Sequence, residues 1–255
     1  MSQHHLRRRR PRPADGRAGA VATACGVLSV VSVLSALALL TGPASAAPRP
    51  VGRTPDPSLR LAECDLRTGP YQEEAEEHLG LPRDGLQSAA DCAGIQRFQF
   101  GNGMETANGF AGVETWRMIQ FARAAADRSS LKGCAPEKGV VVCVDLTRQI
   151  LWVTNGGRVV YGPVPARSGV RGYATRTGRF AIYERVEEEW SDLYDSPMPF
   201  SQYFSGGQAL HGSYRDIWEE PGSQGCVNLR YADAQRLWRS LRIGDTVRIW
   251  GARDS

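Results

Sequence analysis

The segment VVVCVDLTRQILWVTNGGRVVYGPV, residues 140–164, contains three short apolar runs separated by turn residues. Residues 140–146 and 150–154 are rich in β-branched side chains, and Asn155-Gly156 separates them from a third run at 158–164. An Asn-Gly dipeptide between two apolar runs is a strong signal of a tight β-hairpin. This segment therefore predicts the beginning of a β domain.

The remainder of the C-terminal half continues this pattern. Residues 179–186 predict a further strand after the Thr177-Gly178 turn, and residues 246–250 predict a final strand. Between them, one amphipathic helix is indicated by apolar residues at helical spacing: Ala234, Leu237, Trp238 and Leu241. Many short strands with one helix predict a mostly antiparallel β domain over residues 138–251, with a core large enough to fold alone.

Residues 64–127 have helical periodicity instead. Pro70 and Gly80 bracket a first helix, and Ser88 followed by Asp91 is a capping-box pattern that opens a second helix. A third helix is predicted where four apolar residues recur at near-helical spacing: Val113, Trp116, Ile119 and Ala122. The sequence thus predicts a small three-helix domain. A linker over residues 128–137 joins it to the β domain.

The N-terminus has the features of a targeting segment. A basic head is followed by an uncharged apolar run at residues 20–40 and by the small residues Ala44-Ser45-Ala46. This order predicts a signal peptide over residues 1–46 and an exported protein. The apolar run is also long enough to span a bilayer, so an uncleaved N-terminal membrane anchor remains an alternative. Residues 47–63 are rich in proline and predict an extended linker.

The basic character of the chain belongs to this targeting segment. Residues 1–46 hold 6 of the 31 Lys and Arg and 1 of the 27 Asp and Glu, which leaves 25 against 26 and a formal net charge of −1. A nearly neutral mature chain gives no indication of a nucleic-acid partner.

Five cysteines follow the targeting segment: Cys64, Cys92, Cys134, Cys143 and Cys226. In an oxidising compartment even numbers of cysteines pair, and an odd one is a candidate reactive thiol. Four cysteines allow three connectivities, of which chain order favours Cys64–Cys92 with Cys134–Cys143. Cys226 then remains free. No two cysteines have the spacing typical of zinc ligands, so we expect no metal site.

Cys226 lies in the motif Ser223-Gln224-Gly225-Cys226-Val227-Asn228-Leu229, and His211 is the histidine nearest to it in sequence. A thiol of ordinary pKa is only roughly 3% thiolate at pH 7, so a cysteine nucleophile needs a base, a cation or a dipole. His211 is the candidate base. Backbone N–H groups around Gly225 and Cys226 are candidate donors to an oxyanion.

These motifs, with Thr175-Arg176-Thr177-Gly178-Arg179-Phe180 and Ala209-Leu210-His211-Gly212, resemble the L,D-transpeptidase catalytic domain of the YkuD type. The resemblance implies a β-sandwich-like catalytic domain outside the membrane, needing no cofactor. It implies that Cys226 attacks a peptidoglycan stem peptide, releases a terminal D-amino acid and transfers the acyl group to an amine of a second stem. A water acceptor would make the enzyme an L,D-carboxypeptidase instead.

The resemblance also implies roles for individual residues. The Gly212 carbonyl would orient His211. The residues expected in contact with the nucleophile are Ser223, Gln224, Gly225 and Asn228, and those expected to line the substrate groove are Met198, Tyr203 and Phe204. The family's usual Ser-His-Gly-Cys is Ser-Gln-Gly-Cys here, and a glutamine does not titrate near neutral pH. The base therefore falls on His211, and a non-catalytic wall-binding protein remains the alternative.

The helical segment carries a second resemblance. Ile95-Gln96-Arg97-Phe98-Gln99, followed by the residues from Gly109 to Trp116, is similar to the peptidoglycan-binding type 1 domain. This implies binding to the glycan of the cell wall, in addition to the stem peptides. A helical spacer with a tryptophan in its core is the alternative.

Overall fold

The hairpin predicted over residues 140–164 is present in the computed structural model, which describes residues 62–253. The predicted signal peptide and most of the predicted linker lie outside these residues. No helix in residues 62–253 is long and apolar enough to cross a membrane.

The described residues form nine β-strands in two sheets. The strands are β1 Val140–Asp145, β2 Ile150–Asn155, β3 Arg158–Pro165, β4 Gly178–Ala181, β5 Glu184–Ser191, β6 Ser196–Ser205, β7 Gln208–Ser213, β8 Val227–Arg230 and β9 Thr246–Trp250. One sheet has the order β3-β2-β1-β9-β4, and the other has the order β5-β6-β7-β8.

Both sheets are mixed. Most neighbouring strands are antiparallel, as expected, but β1 with β9 and β7 with β8 are parallel. Parallel neighbours cannot be joined by a tight turn and need a long crossover. Residues 214–226 provide this crossover between β7 and β8. Such pairs leave no local sequence signal, so the prediction missed them.

The single strand predicted over residues 179–186 is wrong, because the chain changes sheets there. The N–H of Ile182 donates to the carbonyl of Asp245, beside the first sheet. The next N–H, that of Tyr183, donates to the carbonyl of Tyr203 in β6 of the second sheet. The apolar run is therefore divided between β4 and β5.

The main core lies where side chains of both sheets and of helix α4 (Tyr231–Ser240) meet. Strand β1 is buried on both faces: Val142 and Val144 face this core, whereas Val141 and Cys143 belong to a second cluster. That second cluster also contains Ala124 of the helical segment. Burial on both faces explains why β1 is a continuous apolar run.

The helical segment contains α1 Gln72–Leu79, α2 Ala89–Gly101 and α3 Val113–Ala126. The predicted capping box opens α2: the Ser88 hydroxyl accepts from the N–H of Asp91 at 3.2 Å, and the Asp91 carboxylate accepts from the N–H of Ser88 at 3.0 Å. Gly80 ends α1 in the left-handed conformation, with φ of 68°.

Helix α3 buries a wider surface than predicted. Its buried side chains include Thr115, Met118, Ile119 and Ala124, because it packs on the other helices and also on β3. Leu131 and Cys134 of the predicted linker join the cluster around Val141. All described residues belong to one compact unit. The domain boundary over residues 128–137 stays a prediction.

The predicted disulfides are both present. Cys64 pairs with Cys92 and Cys134 with Cys143, with Cα–Cα separations of 6.0 and 5.8 Å. Cys226 is the free cysteine of the described residues.

Candidate active site

Strand pairing brings the candidate nucleophile and base to one cavity beside the second sheet. The parallel register of β7 and β8 places His211 opposite Asn228. Cys226 lies in the turn directly before β8 and lines the same cavity as His211 and Asn228. The intervening residues Leu210, Val227 and Leu229 lie in the main core. The apolar residues of the motif therefore anchor its reactive residues.

His211 is buried and held by its neighbour. The residue is only 6% exposed, and its Nδ1 lies 2.8 Å from the carbonyl oxygen of Gly212. A carbonyl only accepts hydrogen bonds, so Nδ1 carries the proton and the neutral ring has Nε2 as its acceptor. Burial lowers the pKa of His211 to about 4; the charge of Arg167 adds to this, and the Gly212 hydrogen bond opposes it.

Cys226 is partly exposed, and its pKa is also shifted. Burial raises the pKa of the thiol, and a hydrogen bond from the backbone N–H of Ala209 opposes part of this shift. At neutral pH the resting pair is therefore a thiol beside a neutral imidazole, without a preformed thiolate. The imidazole is in the state required of a general base.

The turn before Cys226 is closed by Ser223. The Ser223 hydroxyl accepts from the N–H of Gly225 at 3.1 Å and donates to the carbonyl of Cys226. The N–H of Gly225, which we expected to be an oxyanion donor, is thus already hydrogen-bonded inside the turn. The N–H of Cys226 remains the candidate donor.

Gly225 has a positive φ of 115° and close neighbours. A Cβ atom at this position would lie 2.5 Å from Nε2 of Gln208. The Thr175 hydroxyl donates to the Gly225 carbonyl and accepts from the N–H of Gly169, both at 2.9 Å. The nucleophile turn is therefore packed against two other segments, and only glycine fits at position 225 without strain.

A cavity of about 650 Å³ opens over these residues. The expected site residues that line it are Met198, His211, Ser223, Gln224, Cys226 and Asn228. Gln224 is exposed and forms no hydrogen bond with the described residues. A side chain in that position is free to differ between proteins without disturbing the turn.

Four expected residues lie outside the cavity lining, and one of them is Gly225 of the turn described above. Gly212 lies beneath it, where a Cβ would lie 3.2 Å from Pro199. Phe204 is buried in the main core against Phe180, with ring centroids 5.6 Å apart. Tyr203 is the register partner of Ala209 between β6 and β7, and its pKa is raised to about 12 by burial and by the charges of Glu189 and Cys226.

Sequence reasoning missed the arginines of the cavity. Arg167 and Arg215 both line it, together with Tyr214. Arg167 is paired with Asn228 through backbone hydrogen bonds in both directions. It follows β3 in no recognisable motif, and only this long-range pairing brings it beside His211. No signal in the sequence indicates its position.

A partly exposed free thiol, a neutral imidazole of defined tautomer and an accessible cavity define a cysteine-dependent acyl-transfer enzyme. The family model of the L,D-transpeptidase catalytic domain, YkuD, matches residues 139–249. The L,D-transpeptidase (Yku) of Stackebrandtia nassauensis is 38% identical, with a TM-score of 0.55; the similarity covers 75% of this chain and 95% of that chain. The chain therefore belongs to the L,D-transpeptidase family.

A second solved structure is the L,D-transpeptidase of Xylanimonas cellulosilytica. It is 28% identical with a TM-score of 0.44, covering 76% of this chain and 100% of that chain. No curated protein matches the chain. The share of this chain covered by the Stackebrandtia structure is larger than residues 139–249, so that similarity extends beyond the catalytic segment.

Proposed function

We propose that this protein is a peptidoglycan L,D-transpeptidase in which Cys226 is the nucleophile and His211 the general base. The observation that carries the proposal is the single cavity that both side chains line, with the ring of His211 oriented by the Gly212 carbonyl. Membership of the family supplies the reaction class.

The reaction proceeds in two steps. As the Cys226 sulfur attacks the carbonyl of the donor stem, Nε2 of His211 takes the thiol proton. A C–S bond forms, the C–N bond breaks, and the proton passes from His211 to the departing amine of the terminal D-amino acid. An amine of a second stem then attacks the thioester and gives its proton to His211. The C–S bond breaks, and the sulfur recovers that proton.

The oxyanion of the tetrahedral intermediate is assigned to the N–H of Cys226. The N–H of Gly225 is engaged by Ser223, so the turn stabilises the oxyanion indirectly by fixing the orientation of the next peptide. Met198 lines the cavity assigned to the donor stem, whereas Tyr203 lies outside this lining in β6.

Incubation of the protein with disaccharide-tetrapeptide tests this assignment. Mass spectrometry should detect a cross-linked dimer together with the released D-amino acid, and Cys226→Ala should give neither. Release of the D-amino acid without dimers would identify the alternative L,D-carboxypeptidase. Wall binding without any reaction in the native protein would identify the non-catalytic alternative and contradict the proposal.

We also propose that the helical segment contacts the wall. Its motif glutamines are structural: Nε2 of Gln96 donates to the carbonyl of Ala107, and Gln99 accepts from the N–H of Gly109 at 2.8 Å. They hold a loop beside a helical module with a polar cavity of about 400 Å³ at its surface, lined by residues that include Gln72, Glu73 and Arg83. Cosedimentation of Cys226→Ala with insoluble peptidoglycan tests this, and Arg83→Ala should weaken it.

We propose that the protein acts outside the cytoplasmic membrane. Its two disulfides support this placement, because disulfides persist in oxidising compartments. The N-terminus of the mature protein, determined by sequencing after expression in a bacterium, should begin near residue 47. Retention of the apolar run would instead identify a membrane anchor.

A further inference from the structure

Arg167 has an unusual environment for an arginine. Its residue is 3% exposed, yet it lines the cavity that contains Cys226. Among the described residues only Nη1 has hydrogen-bond partners, the carbonyls of Asp216 and Glu219, each at 3.1 Å. The Nε atom is buried and has no hydrogen-bond partner within residues 62–253. A buried cation with unused donors is costly unless something compensates it.

The nearest carboxylate is already committed to another arginine. Glu219 accepts two hydrogen bonds from Arg215, at 2.8 and 2.6 Å, and its Oε2 lies 3.9 Å from Nη1 of Arg167. Two cations thus share one anion at the edge of the cavity. The carboxylate of Asp216 also acts on Arg167, so the preference for an anionic ligand rests on the unused guanidinium donor of Arg167 and not on a net charge of the group.

Asn228 adds a second unused polar group beside the first. It is 8% exposed and lines the cavity, and its buried Oδ1 has no hydrogen-bond partner in the part of the chain that the structure describes. It is the backbone partner of Arg167 across the sheet edge and the register partner of His211. An unused acceptor and an unused donor therefore lie in one cross-strand pair next to the general base.

We propose that Arg167 recognises the free carboxylate of the terminal D-amino acid that leaves the donor stem, with Asn228 accepting from the scissile amide N–H. This inference rests on the proposed function, because the terminal D-amino acid carries both groups. Its nitrogen belongs to the bond that breaks, and its carboxylate is attached to the same Cα as that nitrogen. The positive charge selects stems that end at this residue. Arg167 is thus a specificity-determining residue, and the departing D-amino acid keeps the carboxylate unchanged.

The test compares two donors that differ only at the C-terminus: disaccharide-tetrapeptide with a free carboxylate and the same compound with a C-terminal amide. For the native protein we expect kcat/KM for D-amino acid release to be about 10- to 100-fold higher with the carboxylate, the range of a hydrogen bond to a charged group. Arg167→Gln should lose this preference, because any effect of the change on the crossover or on His211 applies to both donors alike. Arg167→Lys should restore part of it.

Arg253 provides the matched control. It is also a buried arginine, it donates to the carbonyl of Ser168, and it is paired with Glu220 outside the cavity lining. Arg253→Gln should lower the melting temperature and leave the preference between the two donors unchanged. This comparison separates a loss of carboxylate recognition from the general effect of removing a buried arginine.

The possible results separate failure of the Arg167 proposal from failure of the proposed transpeptidase function. Equal rates on the two donors in the native protein, or a preference that survives in Arg167→Gln, would overturn the inference while leaving the transpeptidase assignment intact. No release from either donor by the native protein would overturn both.

Discussion

Nδ1 of His211 lies 2.8 Å from the carbonyl oxygen of Gly212, the residue that follows it in β7. The partner belongs to the adjacent backbone, so the ring orientation is fixed by the strand itself. Among residues 62–253 no carboxylate accepts from the ring, so the imidazolium gains no charged partner from them. This arrangement favours the neutral imidazole, which is the form that accepts a proton.

Replacing His211 should remove general-base catalysis. We expect His211→Gln to lower kcat/KM for D-amino acid release by about 10²- to 10⁴-fold. His78→Gln is the matched control, because His78 lies in α1, packed against Phe98 in the helical segment, and should leave kcat/KM unchanged. Full activity in His211→Gln would exclude this residue as the base.

The burial of His211 should make stability depend on pH. Its pKa of about 4 in the fold lies below the ordinary 6.5, so the unfolded chain takes up a proton at higher pH than the native one. The contribution of the neutral His211 side chain to the free energy of unfolding is fully present above pH 6.5. Roughly 3 kcal/mol of it is lost as the pH falls towards 4. Urea unfolding at pH 7 and pH 4 should show a smaller loss in His211→Gln. An equal loss of unfolding free energy in the native protein and in His211→Gln would contradict the lowered pKa of His211.

Gly225→Ala should strain the nucleophile turn. The new Cβ combines a positive φ with an overlap on Gln208, and we expect a loss of about 1–3 kcal/mol in unfolding free energy and a lower kcat/KM. Gly207→Ala is the control: its φ is also positive, at 85°, but its Cβ has free space. Equal effects of the two changes would show that overlap with Gln208 is unimportant.

Trp218→Ala should loosen the connection between the helical segment and the crossover of residues 214–226. Trp218 packs against Met118 and Phe121, and its indole N–H donates to the carbonyl of Asn102 at 3.0 Å. We expect about 3–5 kcal/mol of destabilisation by thermal or urea unfolding, together with lower activity, because Arg167 holds the same crossover. Trp190→Ala, at a residue 53% exposed, should leave stability nearly unchanged.

Features set by neighbouring residues were predictable from the sequence. The hairpin at Asn155-Gly156, the capping box of Ser88 and Asp91, and the final helix and strand depend on local backbone preferences, and all are present. The disulfides followed from chain order and an even count, and the pairing is confirmed.

Features set by distant partners were not predictable. The parallel strand pairs, the change of sheet at Ile182 and the burial of Phe204 depend on which segments meet in three dimensions. Arg167 is the clearest case in the site, because its role depends on backbone pairing with Asn228, 61 positions away in the chain. The sequence motifs predicted Cys226 and His211 as site residues, whereas the charged residue Arg167 beside them could be identified only from the fold.

The most direct test of the nucleophile assignment is the intact mass of the protein after exposure to a carbapenem, whose strained amide acylates an activated thiol. We expect the native protein to gain the mass of one inhibitor molecule and Cys226→Ala to gain none. An unmodified native protein, or an adduct that persists in Cys226→Ala, would contradict the claim that Cys226 is the nucleophile.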